Sequence, residues 1–369
     1  MRTRLCGGAV LAAILLGASA SRAPAQAPTF SLDRASVSLL VPPGTNADDL
    51  FSPTFPILVL TGMPGANFEV DAFSYQQPFM PKSEIDIIAV SFSVDRAAIG
   101  IPGTAVFIET GGVAGSGLAA ADIFRTAAPF VFFGTNVQIY DGDGVPTLPN
   151  AAPGLGLVEG PAGAGDNLGG LDLKPATSRI YLSVDPVTAG VYGAGASAAD
   201  VYVANTVPGY DAPAPAIYAP AAALGLVPGD DIDALVVFDN GDGLFQPGLD
   251  AVLFSLAPGS PSLGLIAGPG GAATATAGDI LQDPFTGGGG LGLPVVVGPA
   301  EALGLQTMRA GFLQDDNLDA LSMDVVPEPT TIAALISGGI GLGVLGLMWR
   351  RRRAKKAHQG DMPESFFQE

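Results

Sequence analysis

The sequence predicts an all-β body of repeated four-stranded units, with a β-propeller-like arrangement favoured and tandem β-sandwiches the alternative. Three observations lead there. Four short phrases recur in constant order along the 369-residue chain. The segments that carry them are β-branched or aromatic and are bounded by Gly, Pro and Asp, the pattern of strands separated by turns. Nothing between residues 26 and 325 sustains a helical period. A sheet of about four strands cannot bury its faces alone and stacks radially on its neighbours, as propeller blades do.

The first phrase is Phe30-Ser31-Leu32-Asp33, then Phe92-Ser93-Val94-Asp95, Leu182-Ser183-Val184-Asp185 and, weaker, Phe254-Ser255-Leu256-Ala257. The serines are 62, 90 and 72 residues apart, so insertions fall in loops. The second phrase is Asp48-Asp49-Leu50-Phe51, Ala121-Asp122-Ile123-Phe124, Ala199-Asp200-Val201-Tyr202 and Gly278-Asp279-Ile280-Leu281. The third, Leu-Gly-Leu, starts at Leu155, Leu224 and Leu303 and is missing from the first unit. The fourth closes each unit: Ile85-Asp86-Ile87-Ile88, a looser form at Leu168 to Asp172, Ile232-Asp233-Ala234-Leu235 and Leu318-Asp319-Ala320-Leu321. The units so defined run approximately over 30–91, 92–178, 179–250 and 251–325.

Strands are expected at Ala89–Val94, Val131–Tyr140, Arg179–Val184, Ala234–Phe238 and Ala251–Leu256. Asp239-Asn240-Gly241-Asp242-Gly243 is a turn signal joining two of them, because Asp, Asn and Gly supply the geometries a tight connection needs. Short helical turns are expected near Pro220–Leu224 and Pro299–Leu303.

The ends of the chain read differently from the body. Arg2 and Arg4 precede an apolar run from Leu5 to Leu16, and small residues lead to Ala23-Pro24-Ala25. This is the order of a cleaved signal peptide over residues 1–25. At the other end, Val326-Pro327-Glu328-Pro329-Thr330 precedes an uncharged stretch over 332–349, followed by Arg350, Arg351, Arg352 and Arg353. The stretch has about the 18 residues that a thin transmembrane helix requires, and a basic cluster directly behind it holds that flank in the cytoplasm.

Segment 326–353 resembles the PEP-CTERM sorting signal, in which a Pro-Glu-Pro motif, a helix and an arginine-rich end occur together. The resemblance implies an exported protein handled by an exosortase-like enzyme, with removal of the helix near Pro327-Glu328-Pro329. It implies a body at the cell surface or in the extracellular matrix, initially anchored with the C-terminus inside. Members usually end soon after the arginines, whereas this chain continues over 354–369 as a cytoplasmic tail. The body itself resembles no family.

Composition narrows the chemistry. The formal net charge is -19, and the only cysteine and histidine, Cys6 and His358, lie outside the body. Disulfides, zinc sites and Cys- or His-based nucleophile systems are excluded there. The acidic field disfavours nucleic acid and favours divalent cations.

Aspartates are the recurring polar residues. Asp141 and Asp143 in one Asp-Gly-Asp-Gly loop, and Asp239, Asp242 and Asp250 around another, are candidate calcium ligands, since hard cations take clustered oxygens. The competing role for them is the Asx-turn. EF-hand spacing fails, because the first and twelfth positions would be Phe238 and Leu249. No other cofactor is indicated. A carboxylate-only glycoside hydrolase using residues such as Glu109, Asp122 and Glu159 is conceivable, but repeated aspartates argue for a structural role, because an active site is normally built once. Tyrosines 181, 192, 202, 210 and 218 could form a sugar-stacking platform or pack between strands. The expected function is therefore a non-catalytic structural or adhesive role, with a calcium-dependent or polysaccharide-binding module as the alternative.

Overall fold

The computed structural model describes residues 28–323, except 41–44, 54–56, 61–68, 76–89, 127–135, 146–151, 160–164, 175–176, 187–194, 206–211, 272–273 and 285–291. The leader over 1–25, the segment 326–353 and the tail 354–369 lie outside the described residues. Among the described residues no helix is long and apolar enough to cross a membrane.

The body is a four-bladed β-propeller of antiparallel four-stranded sheets. The first blade takes β1 (Thr29–Leu32), β2 (Leu50–Ser52) and β3 (Ile57–Leu60), and its innermost strand is β16 (Leu318–Ser322) from the far end of the body. The second runs outward through β4 (Ala72–Tyr75), β5 (Val90–Ser93), β6 (Ile123–Thr126) and β7 (Asn136–Tyr140). The third comprises β8 (Leu168–Lys174), β9 (Arg179–Val184), β10 (Val201–Asn205) and β11 (Ala216–Ala219). The fourth comprises β12 (Ile232–Phe238), β13 (Ala251–Leu256), β14 (Ile280–Gln282) and β15 (Val295–Gly298). The inner strands β4, β8, β12 and β16 pack against one another around a central channel.

Each repeated phrase has a fixed place in this ring. The Phe-Ser-aliphatic phrase forms the second strand of a blade and the Asp-aliphatic phrase leads into the third. The closing phrases at Leu168, Ile232 and Leu318 are the inner strands of the next blade, so the blades cut the chain one strand earlier than the sequence units do. In the second blade the inner strand is instead β4, entered through Val70-Asp71. The expected Ile85–Ile88 strand lies outside the described residues, as does 131–135 of the strand expected at Val131–Tyr140.

Alternation along the second strands explains the packing. Phe30 and Leu32 enter a core with Ala234, Ile280 and Leu321 of the fourth and first blades. Phe92 joins Phe73, Phe124 and Leu50 between the first and second. Ile180 and Leu182 join Ile123 and Ala72 between the second and third. Phe254 meets Tyr181, Val201 and Leu235 between the third and fourth. Four inter-blade cores thus replace one central core. The serine between the apolar residues faces the next blade: Ser31, Ser183 and Ser255 donate through Oγ to the carbonyls of Val70, Ile232 and Leu318 at 2.9, 2.9 and 2.7 Å. Ser93 departs from the pattern and donates to Ala120.

Helix is sparse among the described residues. Ala300–Leu303 forms the helical turn expected there, while Pro220–Leu224 forms consecutive turns only. The helix Ala105–Glu109 has no counterpart in the sequence pattern; Thr104 caps it by accepting from the Phe107 N–H.

Candidate functional site

The aspartate that opens each third strand is a latch. Asp200 accepts from the Ser197 N–H through one oxygen and from the Ala221 N–H through the other, at 2.8 and 2.6 Å. Asp279 repeats this with Thr276 and Ala300, both at 2.8 Å. Asp122 accepts from Gly142 and Asp49 from Asn46, again at 2.8 Å. Each carboxylate ties the start of the third strand to its neighbouring turns. The acids after the Leu-Gly-Leu phrase act similarly. Asp230 accepts from Val227 and Ser262, and Asp316 from Gln306 and Ser38. Asp230 and Asp316 are buried, because they cap the loop beside the inner strand.

A second group of acids collects at one mouth of the channel. The segment that enters each inner strand and the segment that leaves each second strand are joined by a backbone bond: Asp33 N to Asn317 O, Asp95 N to Glu69 O, Asp185 N to Asn167 O and Ala257 N to Asp231 O. The positions just inside them are Asp319, Asp71, Gly169 and Asp233. In β8, β12 and β16 this inner position falls where the strand register slips, between Leu168 and Gly170, between Ile232 and Ala234, and opposite the Ser31/Leu32 step. A β-bulge there re-aims the side chain.

One oxygen each of Asp33, Glu69 and Asp319 lies within 4.8 Å of the others. The Asn317 side-chain amide donates to Asp233 at 2.7 Å, crossing from the first blade to the fourth. Only Arg34 and Arg96 counter these acids among the described residues. Arg34 stands 4.0 Å from Glu69 and 3.9 Å from Asp95, and Arg96 pairs with Asp185.

Burial dominates the electrostatics of this mouth. It pushes Asp71, Asp233 and Asp319 well above the usual carboxylate range, and for Asp319 the neighbouring Asp71 and Asp233 charges push further. Glu69 is raised to about 7 by burial, against a backbone hydrogen bond from Arg34 that favours its charge. Asp231 is likewise raised to about 7 by burial and then by Asp185. Four side-chain oxygens here accept no hydrogen bond among the described residues: Oδ1 of Asp95, Oδ1 of Asn167, Oδ1 of Asn317 and Oδ2 of Asp319. Asp319 and Asn317 are only 6% exposed.

The loops singled out in the sequence are arranged differently. Asp239, Asp242 and Asp250 do come together within 4.8 Å. Every one of their oxygens is already supplied by the protein. Arg179 and Tyr181 donate to one oxygen of Asp239 at 2.9 and 2.8 Å, and Gly243 to the other. Asp250 accepts from Asn240 and Gln246, and Asp242 from Leu244 and the Gln246 side chain. Asp141 joins Asp122 and Glu159, while Asp143 accepts from Val145 two residues on. Asp141 and Asp122 are buried and accept from the N–H groups of Gly144 and Gly142. Burial raises Glu159 to about 8.

The described tyrosines of that group form no surface platform. Tyr181, Tyr202 and Tyr218 are buried, and Tyr181 packs edge-on against Tyr218 with centroids 4.7 Å apart; Tyr192 and Tyr210 lie outside the described residues. The mouth acids escaped sequence reasoning because they come from three different repeat positions. No protein-family model matches this chain, and no curated protein is significantly similar to it.

Proposed function

We propose that the protein is an exported, non-catalytic β-propeller that serves a structural or adhesive role at the cell surface or in the extracellular matrix. The observation that carries this reading is the ordered set Val326-Pro327-Glu328-Pro329-Thr330, the apolar stretch over 332–349 and Arg350–Arg353, set against an N-terminal leader. The architecture is compatible with processing there. The last blade strand ends at Ser322, so removal of the chain from Pro327 onward leaves the ring closed. The non-catalytic part rests on the latches: the repeated third-strand aspartates hold backbone N–H groups, and the body has no histidine or cysteine.

The test is fractionation of cells expressing the full chain beside a variant in which Arg350–Arg353 are replaced by Ser. The native protein is expected outside the cytoplasmic membrane without its C-terminal segment, and the variant is expected to remain unprocessed in the membrane. A body found in the cytoplasm in both cases would refute the export reading.

A further inference from the structure

We propose that the channel mouth is a divalent-cation site of the calcium class, with Asp33, Glu69 and Asp319 as charged ligands and the Asn317 amide oxygen beside them. It does not depend on export, and it lies apart from the two Asp-Gly loops.

The argument is one of unmet demand. Three carboxyl groups with oxygens within 4.8 Å of one another disfavour their own charged forms in a partly desolvated setting unless a positive charge joins them. The nearest guanidinium, Arg34, stands at the edge of ion-pair distance from Glu69 and is half exposed. Asp319 Oδ2 and Asn317 Oδ1 are buried without a donor, and an unpartnered buried oxygen is costly unless something else satisfies it. Hydrogen-bond donors satisfy the Asp239 loop; among the described residues no donor reaches these two atoms.

A single hard cation answers all of these demands, because the donors are carboxylate and amide oxygens without nitrogen or sulfur. Calcium fits better than magnesium, since it accepts irregular cages of many protein oxygens whereas magnesium keeps its waters. A cleft lined by Asp33, Asn317 and Asp315 opens beside the site. The ion would bridge β16 and β1 of the first blade to the segment that enters β4 of the second, at the place where the two ends of the propeller meet.

The test uses the full chain, stripped with chelator and titrated with calcium chloride by calorimetry, with parallel thermal melts. Saturable binding is expected, with a rise in Tm of about 5 °C at a hundredfold excess over Kd. Asp319→Asn is expected to weaken binding by about tenfold or more, through the lost ligand charge. Asp242→Asn, in the self-satisfied loop, is expected to bind like the native protein. Glu69→Gln serves as the second mouth variant should Asp319→Asn fail to fold. No binding by the native chain, or unchanged binding by the mouth variants, overturns the proposal. So does loss of binding in Asp242→Asn alone.

Discussion

Asp279 shows what the repeated aspartates do and how much rests on one side chain. It accepts two backbone N–H groups and also a two-point ion pair from Arg309, at 2.5 and 2.6 Å. Replacement by Ala would leave two backbone donors unmet and take one of Arg309's two carboxylate partners, leaving it with Glu301, and a loss of about 3–5 kcal/mol is expected in urea unfolding. Asp200 makes the two backbone bonds without the arginine, so Asp200→Ala should cost about 2 kcal/mol. Equal costs would contradict the assignment.

Protonation gives a second residue-scale prediction. Burial holds Glu69 and Asp231 near 7 in the fold, above ordinary values of 4.5 and 3.8. Groups raised on folding bind more protons in the native state, so their favourable contribution is complete below about pH 4 and is lost as pH rises through 7. In chelator the Tm should therefore fall between pH 5 and pH 8, and calcium should flatten that slope. Glu301 acts in the opposite sense, held at about 2 chiefly by its Arg309 hydrogen bond, but its contribution is lost only below about pH 4.5.

At the scale of elements, the inner strand β8 departs from its three counterparts. Where the others carry Asp-Ala, it carries Gly169-Gly170. A Cβ on Gly170 would stand 2.6 Å from Ser183 Oγ and 2.7 Å from the Leu235 Cβ. There is no room there for a side chain between this blade and the next, and overpacking costs about 1–3 kcal/mol. Gly170→Val should lower the Tm accordingly, while the equivalent Ala234→Gly should do so only modestly. The Leu-Gly-Leu phrases have an equally local reason: Gly156, Gly225 and Gly304 turn through positive φ between two buried leucines. The strands at 179–184 and 251–256 were legible from alternation alone. The inner strand of the second blade was not, because Ile85–Ile88 is the more β-branched candidate and nothing local favours Ala72–Tyr75 over it.

For the whole molecule, ring closure is the controlling event. Four phrases repeated in order were enough to predict stacked sheets of four strands, since each phrase carries its own alternation and turn residues. They could not reveal that the last phrase, Leu318–Leu321, pairs with the first strand, Thr29–Leu32. That pairing brings Asp319 to Asp33 across most of the chain, which is why the mouth cluster is invisible to local spacing. A chain ending at Asn317 lacks the innermost strand of the first blade and is expected to be protease-sensitive, whereas one ending at Val326 should resist as the full chain does.

The closed ring and its acidic mouth meet in one observable, the anomalous difference density of crystals grown with calcium. The account predicts a peak about 2.3–2.6 Å from oxygens of Asp33, Glu69 and Asp319. Density confined to the Asp239 loop, or a mouth in which Asp319 Oδ2 instead shares a proton with a neighbouring carboxyl, would contradict it.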